Sequence, residues 1–362
     1  MDEIMAAEPS VVEGMLIKRR SVSRINEIDM NNIPFGREFS DHMLVIDYRN
    51  GEWHQPVIKP YGPIGFTPAM SALNYGQAIF EGMKAYRGTD GDIRLFRAKD
   101  NLTRLNRSAE RMCMPAIPEE LFMKGLTQLL SMDKDWVPNQ EQGTLYIRPL
   151  MYATDDYIGV KSSDNYQFVI FTCPVGMYYK DPVNLLVTKE FVRAAIGGTG
   201  AAKAAGNYAA AMLPDKIAKS QGYHNILWLD GRDHLYIEEC GTMNVFFVVG
   251  DTVLTPRLGG TILPGITRKS VIRLLRENGY KVEVRRISIH EIEEAYEEGL
   301  LKETFGTGTA ASIAHVNMIG FQGKQMFLPD VSTRKVGNWL SDTLNGIKHG
   351  DIKDPYGWVT KL

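Results

Sequence analysis

A mixed α/β fold in two domains follows from three features of this 362-residue sequence. Segments of strand-like and helical hydrophobic period succeed one another along the chain. The length is about twice that of an ordinary domain of ~150 residues. An aromatic, proline-containing stretch after Cys173-Pro174 breaks the pattern near the middle. The expected division is a first α/β domain over 1–175, a linker over 176–186 and a second domain over 187–362.

Taken in order, Met43 to Tyr48 has the composition of a strand among turn glycines Gly51, Gly62 and Gly65. Lys99 to Met112 carries Leu102, Leu105 and Ala109 at helical spacing. Pro118-Glu119-Glu120 opens a second helix over Leu121 to Met132, with a proline and acids in its first turn. Thr144 to Met151 and Tyr166 to Cys173 are β-branched or aromatic runs of strand length, which predicts a mixed sheet under the two helices. Beyond the linker, Asn225 to Leu229, Asp230-Gly231 and Leu235 to Glu238 read as a hairpin, followed by a strand at Val245 to Val249. Helices are expected at Lys269 to Asn278, His290 to Glu298 and Arg334 to Ile347.

Composition excludes several classes of function. Forty-one basic against 43 acidic residues leave no electrostatic footprint for nucleic acid. Val245 to Val249 is typical of the longest apolar runs, far short of the ~18 residues a membrane helix needs. The three dispersed cysteines, Cys113, Cys173 and Cys240, form neither a disulfide framework nor a metal pair, and no HExxH occurs, so no metal is expected. Odd, scattered cysteines and an acidic N-terminus read as a cytoplasmic protein.

The most unusual stretch is Gly197-Gly-Thr-Gly-Ala-Ala-Lys203-Ala-Ala-Gly-Asn-Tyr208, one lysine crowded by residues small enough to let the backbone approach a ligand closely. It lacks the Gly-Lys-Ser/Thr of a phosphate loop and the third glycine of a dinucleotide fingerprint. Two readings remain: a solvated loop lysine, or a lysine desolvated so that its neutral amine forms a Schiff base. An aldehyde cofactor would also need partners for a phosphate, a phenolic oxygen and a ring nitrogen. Leu263-Pro-Gly-Ile-Thr-Arg268, opening an amphipathic run, offers free N–H groups and a threonine hydroxyl at a helix start. Glu239 ends a strand, at what reads as a sheet edge.

These segments, with Glu239-Cys-Gly-Thr-Met-Asn244 between them, stand in the order seen in branched-chain amino acid aminotransferases. Phe39-Ser-Asp-His-Met-Leu44, Phe80-Glu-Gly-Met-Lys-Ala-Tyr-Arg87, Arg94-Leu-Phe-Arg97 and Tyr146-Ile-Arg-Pro149 also resemble that family, in its longer-chain branch. The resemblance runs from about Pro34 to Ile347. It implies pyridoxal 5'-phosphate fold type IV, a small α/β domain and a larger cofactor-binding pseudo-barrel domain. It also implies transamination of leucine, isoleucine or valine with 2-oxoglutarate, giving branched 2-oxo acids and glutamate, by a homodimer.

Position by position, Lys203 resembles the lysine that holds the cofactor and shuttles the substrate proton. Glu239 matches the partner of the ring nitrogen, Tyr208 that of the phenolic oxygen, and Arg104, Ile266, Thr267 and Thr309 the phosphate site. Phe35, Tyr75, Phe80, Tyr146, Tyr178 and Thr242 match the substrate pocket. Arg148 would reach the distal carboxylate of glutamate, and Thr309 with Ala310 the α-carboxylate. Thr309-Ala-Ala-Ser-Ile-Ala-His315 lacks the Cys-x-x-Cys of some animal members, which excludes a thiol switch there. The rivals on the same fold are an aminodeoxychorismate lyase and a D-amino acid aminotransferase.

Overall fold

The computed structural model describes residues 8–176, 179 and 181–362. They fall into two compact units, one drawn from Met1–Tyr178, Ala202–Ala205 and Gly346–Leu362, the other from Tyr179–Ala201 and Gly206–Asn345. A division drawn once in chain order does not provide for the two returns, at Ala202–Ala205 and from Gly346 onward. The expected linker 176–186 lies partly outside the described residues.

The first unit begins with β1 (Ser10–Val12), β2 (Met15–Ile17), β3 (His42–Arg49), β4 (Glu52–Trp53) and β5 (Val57–Pro60). The short helix α1 (Ser71–Tyr75), β6 (Ala78–Phe80), β7 (Met83–Arg87) and β8 (Ile93–Phe96) follow. Then come α2 (Ala98–Arg111), α3 (Glu119–Met132), β9 (Thr144–Ala153) and β10 (Tyr166–Val175). The sheet runs β1-β2-β5-β3-β10-β9-β7-β8, with β4 beside β3 and β6 beside β9. The two longest strands, β9 and β10, pair antiparallel from Thr144↔Val175 to Ala153↔Tyr166. Leu102, Leu105 and Ala109 of α2, and Phe122, Leu126, Leu129 and Leu130 of α3, belong to one core with Leu44, Ile46, Leu145, Ile147 and Phe168 of the sheet. These are the apolar positions that the helical period singles out, and each large side chain so buried contributes roughly 1.5–3 kcal/mol.

The second unit contains β11 (Val183–Val187), α4 (Ala205–Ser220), β12 (Asn225–Leu229), β13 (Ile237–Cys240), β14 (Met243–Val249) and β15 (Thr252–Pro256). It continues with α5 (Ile266–Glu277), β16 (Lys281–Arg285), α6 (Ile289–Glu297), β17 (Leu301–Gly308), β18 (Ser312–Phe321), β19 (Lys324–Phe327) and the greater part of α7 (Lys335–His349), whose end from Gly346 onward belongs to the first unit. Its sheet runs β13-β12-β11-β18-β17-β14, and β14 pairs back onto β13 through Glu239↔Asn244 and Cys240↔Met243. Six strands thus close into a barrel, with β15 and β16 extending from β14 and β19 beside β18. Closure removes the sheet edge, so inward residues such as Leu185, Leu227, Val245, Phe247 and Val316 pack in one buried core. The last strand, β20 (Val359–Lys361), pairs antiparallel with β8 in the first unit's sheet.

Three expectations are corrected. Glu239 does not lie at a sheet edge, because β13 is paired on both sides. The expected hairpin is present as β12 paired antiparallel with β13, but its second strand starts at Ile237 rather than Leu235, because the Asp230 carboxylate accepts the N–H groups of Asp233, Leu235 and Tyr236. The helix expected from Lys269 starts at Ile266 with Gly265 as its cap and no side-chain cap bond, so Thr267 stands inside the first turn rather than capping it. In addition, the helix α4 that follows Lys203 has no counterpart in the sequence reading, because Gly206 and the internal Pro214 mask its period.

Among the described residues no helix is long and apolar enough to cross a membrane, and no group of three or more His, Cys, Asp or Glu side chains could hold a metal ion.

Candidate active site

In the first unit Lys203 is half-buried and held by its backbone. Its N–H donates to Ser108 Oγ at 2.9 Å, and its carbonyl accepts from Phe80 N–H at 3.0 Å. Ala204 next to it bridges to Ile79 of β6. The segment Ala202–Ala205 is thereby stitched to a strand and a helix, and the small side chains Ala202 and Ala204 are buried in the core. Lys203 Nζ lies 4.9 Å from the centroid of the Phe80 ring.

The same ring carries the Arg148 guanidinium at 4.6 Å. Arg148 also lies 5.3 Å from the Tyr146 ring, and its Nη2 donates to Tyr146 Oη at 3.1 Å. Its Nε is buried and has no hydrogen-bond partner among the described residues. Phe35 meets Tyr146 edge-on at 5.6 Å. Tyr146 packs in a small cluster with Cys173, Val175 and Phe39, where burial pushes the Cys173 thiol up to about 11. Five of the residues singled out in the sequence, Phe35, Phe80, Tyr146, Arg148 and Lys203, are therefore brought into one aromatic-lined group. Tyr75, on α1, is 40% exposed, and among the described residues no ring contact joins it to this group.

Arg104 is buried on α2 rather than displayed on its surface. Glu81, which the sequence reading did not single out, grips it: Nε donates to Oε1 at 2.7 Å and Nη2 to Oε2 at 2.8 Å. The signal for Glu81 was its position inside the Phe80-Glu-Gly-Met run. Gly82 beside it is required, because a Cβ there would stand 2.2 Å from Tyr146 Oη.

In the second unit Glu239 projects from β13 and is 2% exposed, not solvated. Its Oε1 accepts from Leu263 N–H at 2.6 Å and Asn244 Nδ2 at 3.4 Å, while Oε2 meets Arg193 Nε at 2.8 Å. Arg193 had no recognisable sequence signal. Asn244 Nδ2 also donates to Leu263 O at 3.0 Å, which links β14 to the turn before α5. Gly265 in that turn is obligatory, since a Cβ would meet Asn244 Oδ1 at 1.9 Å. Ile266 and Thr267 form the first turn of α5 and are buried. Their N–H groups belong to the set that a helix cannot satisfy internally. Tyr208 lies near the start of α4, Thr242 in the turn between β13 and β14, and Thr309 with Ala310 in the turn between β17 and β18. Thr242 is exposed. Tyr178 lies outside the described residues.

Residues 78–319 match the family described as Amino-transferase class IV. The chain is 46% identical over 338 residues to branched-chain-amino-acid aminotransferase 2 of Bacillus subtilis (strain 168), covering 92% of this chain and 93% of the relative. It is 44% identical over 353 residues to branched-chain-amino-acid transaminase 1 of the same organism, covering 96% and 99%. Among solved structures it resembles the branched-chain aminotransferase of Thermoproteus uzoniensis with norvaline, at TM-score 0.73 and 25% identity, covering 88% of this chain and 99% of that one. The branched-chain amino acid aminotransferase of T.th. with pyridoxamine 5'-phosphate gives TM-score 0.70 and 25% identity, covering 87% and 97%. A closed barrel bearing a buried acid, a backbone-pinned lysine against an aromatic ring and this extent of shared sequence together make the chain a member of the class IV aminotransferase family.

Proposed function

We propose that the protein transfers the amino group of leucine, isoleucine or valine to 2-oxoglutarate, using pyridoxal 5'-phosphate held covalently by Lys203. The observation that carries this reading is the shared Phe80 ring, with Lys203 Nζ 4.9 Å and the Arg148 guanidinium 4.6 Å from its centroid. An amine that could act at a substrate's α-carbon thus stands beside a cation and apolar walls in one group.

The residues present suit the cofactor. A buried carboxylate, Glu239, suits a ring nitrogen in charge. The uncapped first turn of α5 suits a phosphate. The Thr307 hydroxyl in the barrel strand β17 is buried with no hydrogen-bond partner among the described residues, which marks a polar place rather than an apolar core.

When bound, pyridoxal phosphate supplies an aldehyde carbon for the substrate amine and a ring that accepts the electron pair left at the α-carbon. Lys203 holds it, then carries a proton between the α-carbon and the cofactor through Nζ, so one residue is both anchor and acid–base group. Glu239 would pair with the ring nitrogen and favour its protonated form, and Tyr208 would donate to the phenolic oxygen. Arg104, oriented by Glu81, and the Ile266 and Thr267 N–H groups would hold the phosphate, with Thr309 close by.

For the substrate, the Thr309 and Ala310 N–H groups orient the α-carboxylate. Phe35, Phe80 and Tyr146 would face the substrate side chain, and the resemblance adds Tyr75, Tyr178 and Thr242 to that set. Each methylene buried there contributes about 0.8 kcal/mol, so shape does the sorting among aliphatic side chains. Arg148 lies against two aromatic rings, with its Nε–H buried and donating to no acceptor among the described residues. The rings can face an isobutyl group while the guanidinium takes the distal carboxylate of glutamate. The two half-reactions alternate in one pocket, which predicts ping-pong kinetics.

Exposed Phe66, Tyr157, Ile158 and Val160 on the first unit support assembly into a homodimer. Three free cysteines suit a reducing cytoplasm.

The test is an absorption spectrum of the purified protein before and after borohydride, then peptide mapping. A phosphopyridoxyl label at Lys203, and bleaching of the visible band by L-leucine but not D-alanine, are expected. A label on another lysine, or no response to L-leucine, refutes the assignment.

A further inference from the structure

Arg193 precedes the glycine-rich segment, and its side chain joins three places in the second unit. Nε meets Glu239 Oε2 at 2.8 Å. Nη1 donates to Thr261 O at 2.6 Å and, with Nη2, to Gly200 O at 3.3 Å. Thr261 stands two residues before Leu263, whose N–H binds the other oxygen of Glu239. Gly200 stands three residues before Lys203. The approach is tight: a Cβ at Gly200 would lie 2.4 Å from Thr261 O and 2.5 Å from Ala194 Cβ. One guanidinium therefore fixes the acid on β13, the run into the anion-binding turn and the run into the lysine. A lysine ammonium could not replace this planar fork at all three acceptors.

The charge matters as much as the bracing. Glu239 and Arg193 are both nearly buried, with side chains 2% and 8% exposed. A carboxylate in such surroundings gains basicity unless a cation adjoins it. Facing a protonated ring nitrogen, an uncompensated Glu239 would take the proton and leave a neutral ring, which is a poor electron sink. Among the described residues, Arg268 and the Cys240 thiol also lie near Glu239, and Glu238 lies near Arg193.

We propose that Arg193 is a positioning residue that holds Glu239 as an ionised acceptor, so that the proton stays on the ring nitrogen of the bound cofactor. This deepens the reading given under Proposed function and rests on it. A ring that keeps its proton withdraws electrons and lowers the pH at which the nitrogen joining Lys203 to the cofactor titrates. Loss of Arg193 raises that pH.

The holoenzyme, reconstituted with pyridoxal phosphate, is titrated through its visible absorbance in wild type, Arg193→Gln and Arg193→Lys. Arg193→Gln should move the midpoint upward by about one pH unit or more, the size a single adjacent charge brings, and lower kcat more than it raises KM. Arg193→Lys, which keeps the charge, should titrate near wild type while binding the cofactor more weakly. An unmoved midpoint in Arg193→Gln overturns the proposal, and so does an equal displacement in both variants, which would assign the effect to bracing alone. Where Arg193→Gln fails to fold, the nitrogen-15 signal of ring-labelled cofactor in wild type decides: a protonated ring supports the role and a neutral one refutes it. A wild-type protein that shows no visible band defeats the cofactor reading itself and this proposal with it.

Discussion

Glu81 holds the guanidinium of Arg104 by two parallel bonds of 2.7 and 2.8 Å, and both side chains are nine-tenths or more buried. The pair joins the residue that follows β6 to the middle of α2, and it directs a cation that the proposed function gives to a phosphate. Removing one member of a buried pair costs about 3–5 kcal/mol, because the remaining charge is left desolvated. Glu81→Gln should therefore lower stability in urea by roughly 3 kcal/mol and weaken pyridoxal phosphate binding, read by fluorescence quenching.

Arg148→Met should separate the two halves of the reaction. The methionine keeps an apolar wall for leucine but removes the guanidinium, and a charge-assisted bond is worth about 1.5–3 kcal/mol. The half-reaction with glutamate, followed by stopped-flow absorbance, should slow about 10- to 100-fold. That with leucine should change by less than about threefold. Equal losses for both substrates would place Arg148 outside side-chain recognition.

Gly82→Ala inserts a methyl 2.2 Å from Tyr146 Oη, which is also the acceptor of Arg148 Nη2. Tyr146 must swing away and carry the Arg148 contact with it. Overpacking of this kind costs about 1–3 kcal/mol. A raised KM for 2-oxoglutarate together with a lowered Tm is expected in steady-state and thermal measurements.

Burial pulls two lysines of the first unit down, Lys84 to about 8 and Lys348 to about 7, the latter also by the neighbouring Lys84 charge. The unfolded chain binds a proton at each up to its ordinary value of 10.5, whereas the folded one releases it earlier. Stability should thus rise with pH from about 7 to about 10, at up to about 1.4 kcal/mol per pH unit for each lysine. Lys348→Met should flatten that rise in urea titrations at about pH 7, 8.5 and 10. An unchanged slope would show that Lys348 keeps its proton in the folded protein.

The helices α2 and α3 and the strands β9 and β10 were legible because their signals are local, an apolar residue every third or fourth position or a β-branched run of strand length. The segment around Lys203 stood out because small residues crowd one lysine, but that pattern alone left a solvated loop lysine open, and only the order of motifs along the chain singled Lys203 out. The helix α4 was not legible, since Gly206 and Pro214 weaken local propensity and packing overrides it. Arg193 was not, since nothing near it in sequence says which distant carboxylate it will meet.

The sequence by itself determined the class of fold, the order of most elements, the family and the glycine- and alanine-rich lysine segment to which the proposed function gives the cofactor. All of these reside in short-range periodicity or in motifs whose order survives in the chain. Only the tertiary structure decided the closure of the barrel through β13 and β14, the return of Ala202–Ala205 and Gly346–Leu362 to the first unit, and the pairings Glu81–Arg104 and Glu239–Arg193. The reason is desolvation. A charge withdrawn from water must find its counter-charge among whatever surfaces folding brings together, and that choice is written in no local stretch of residues.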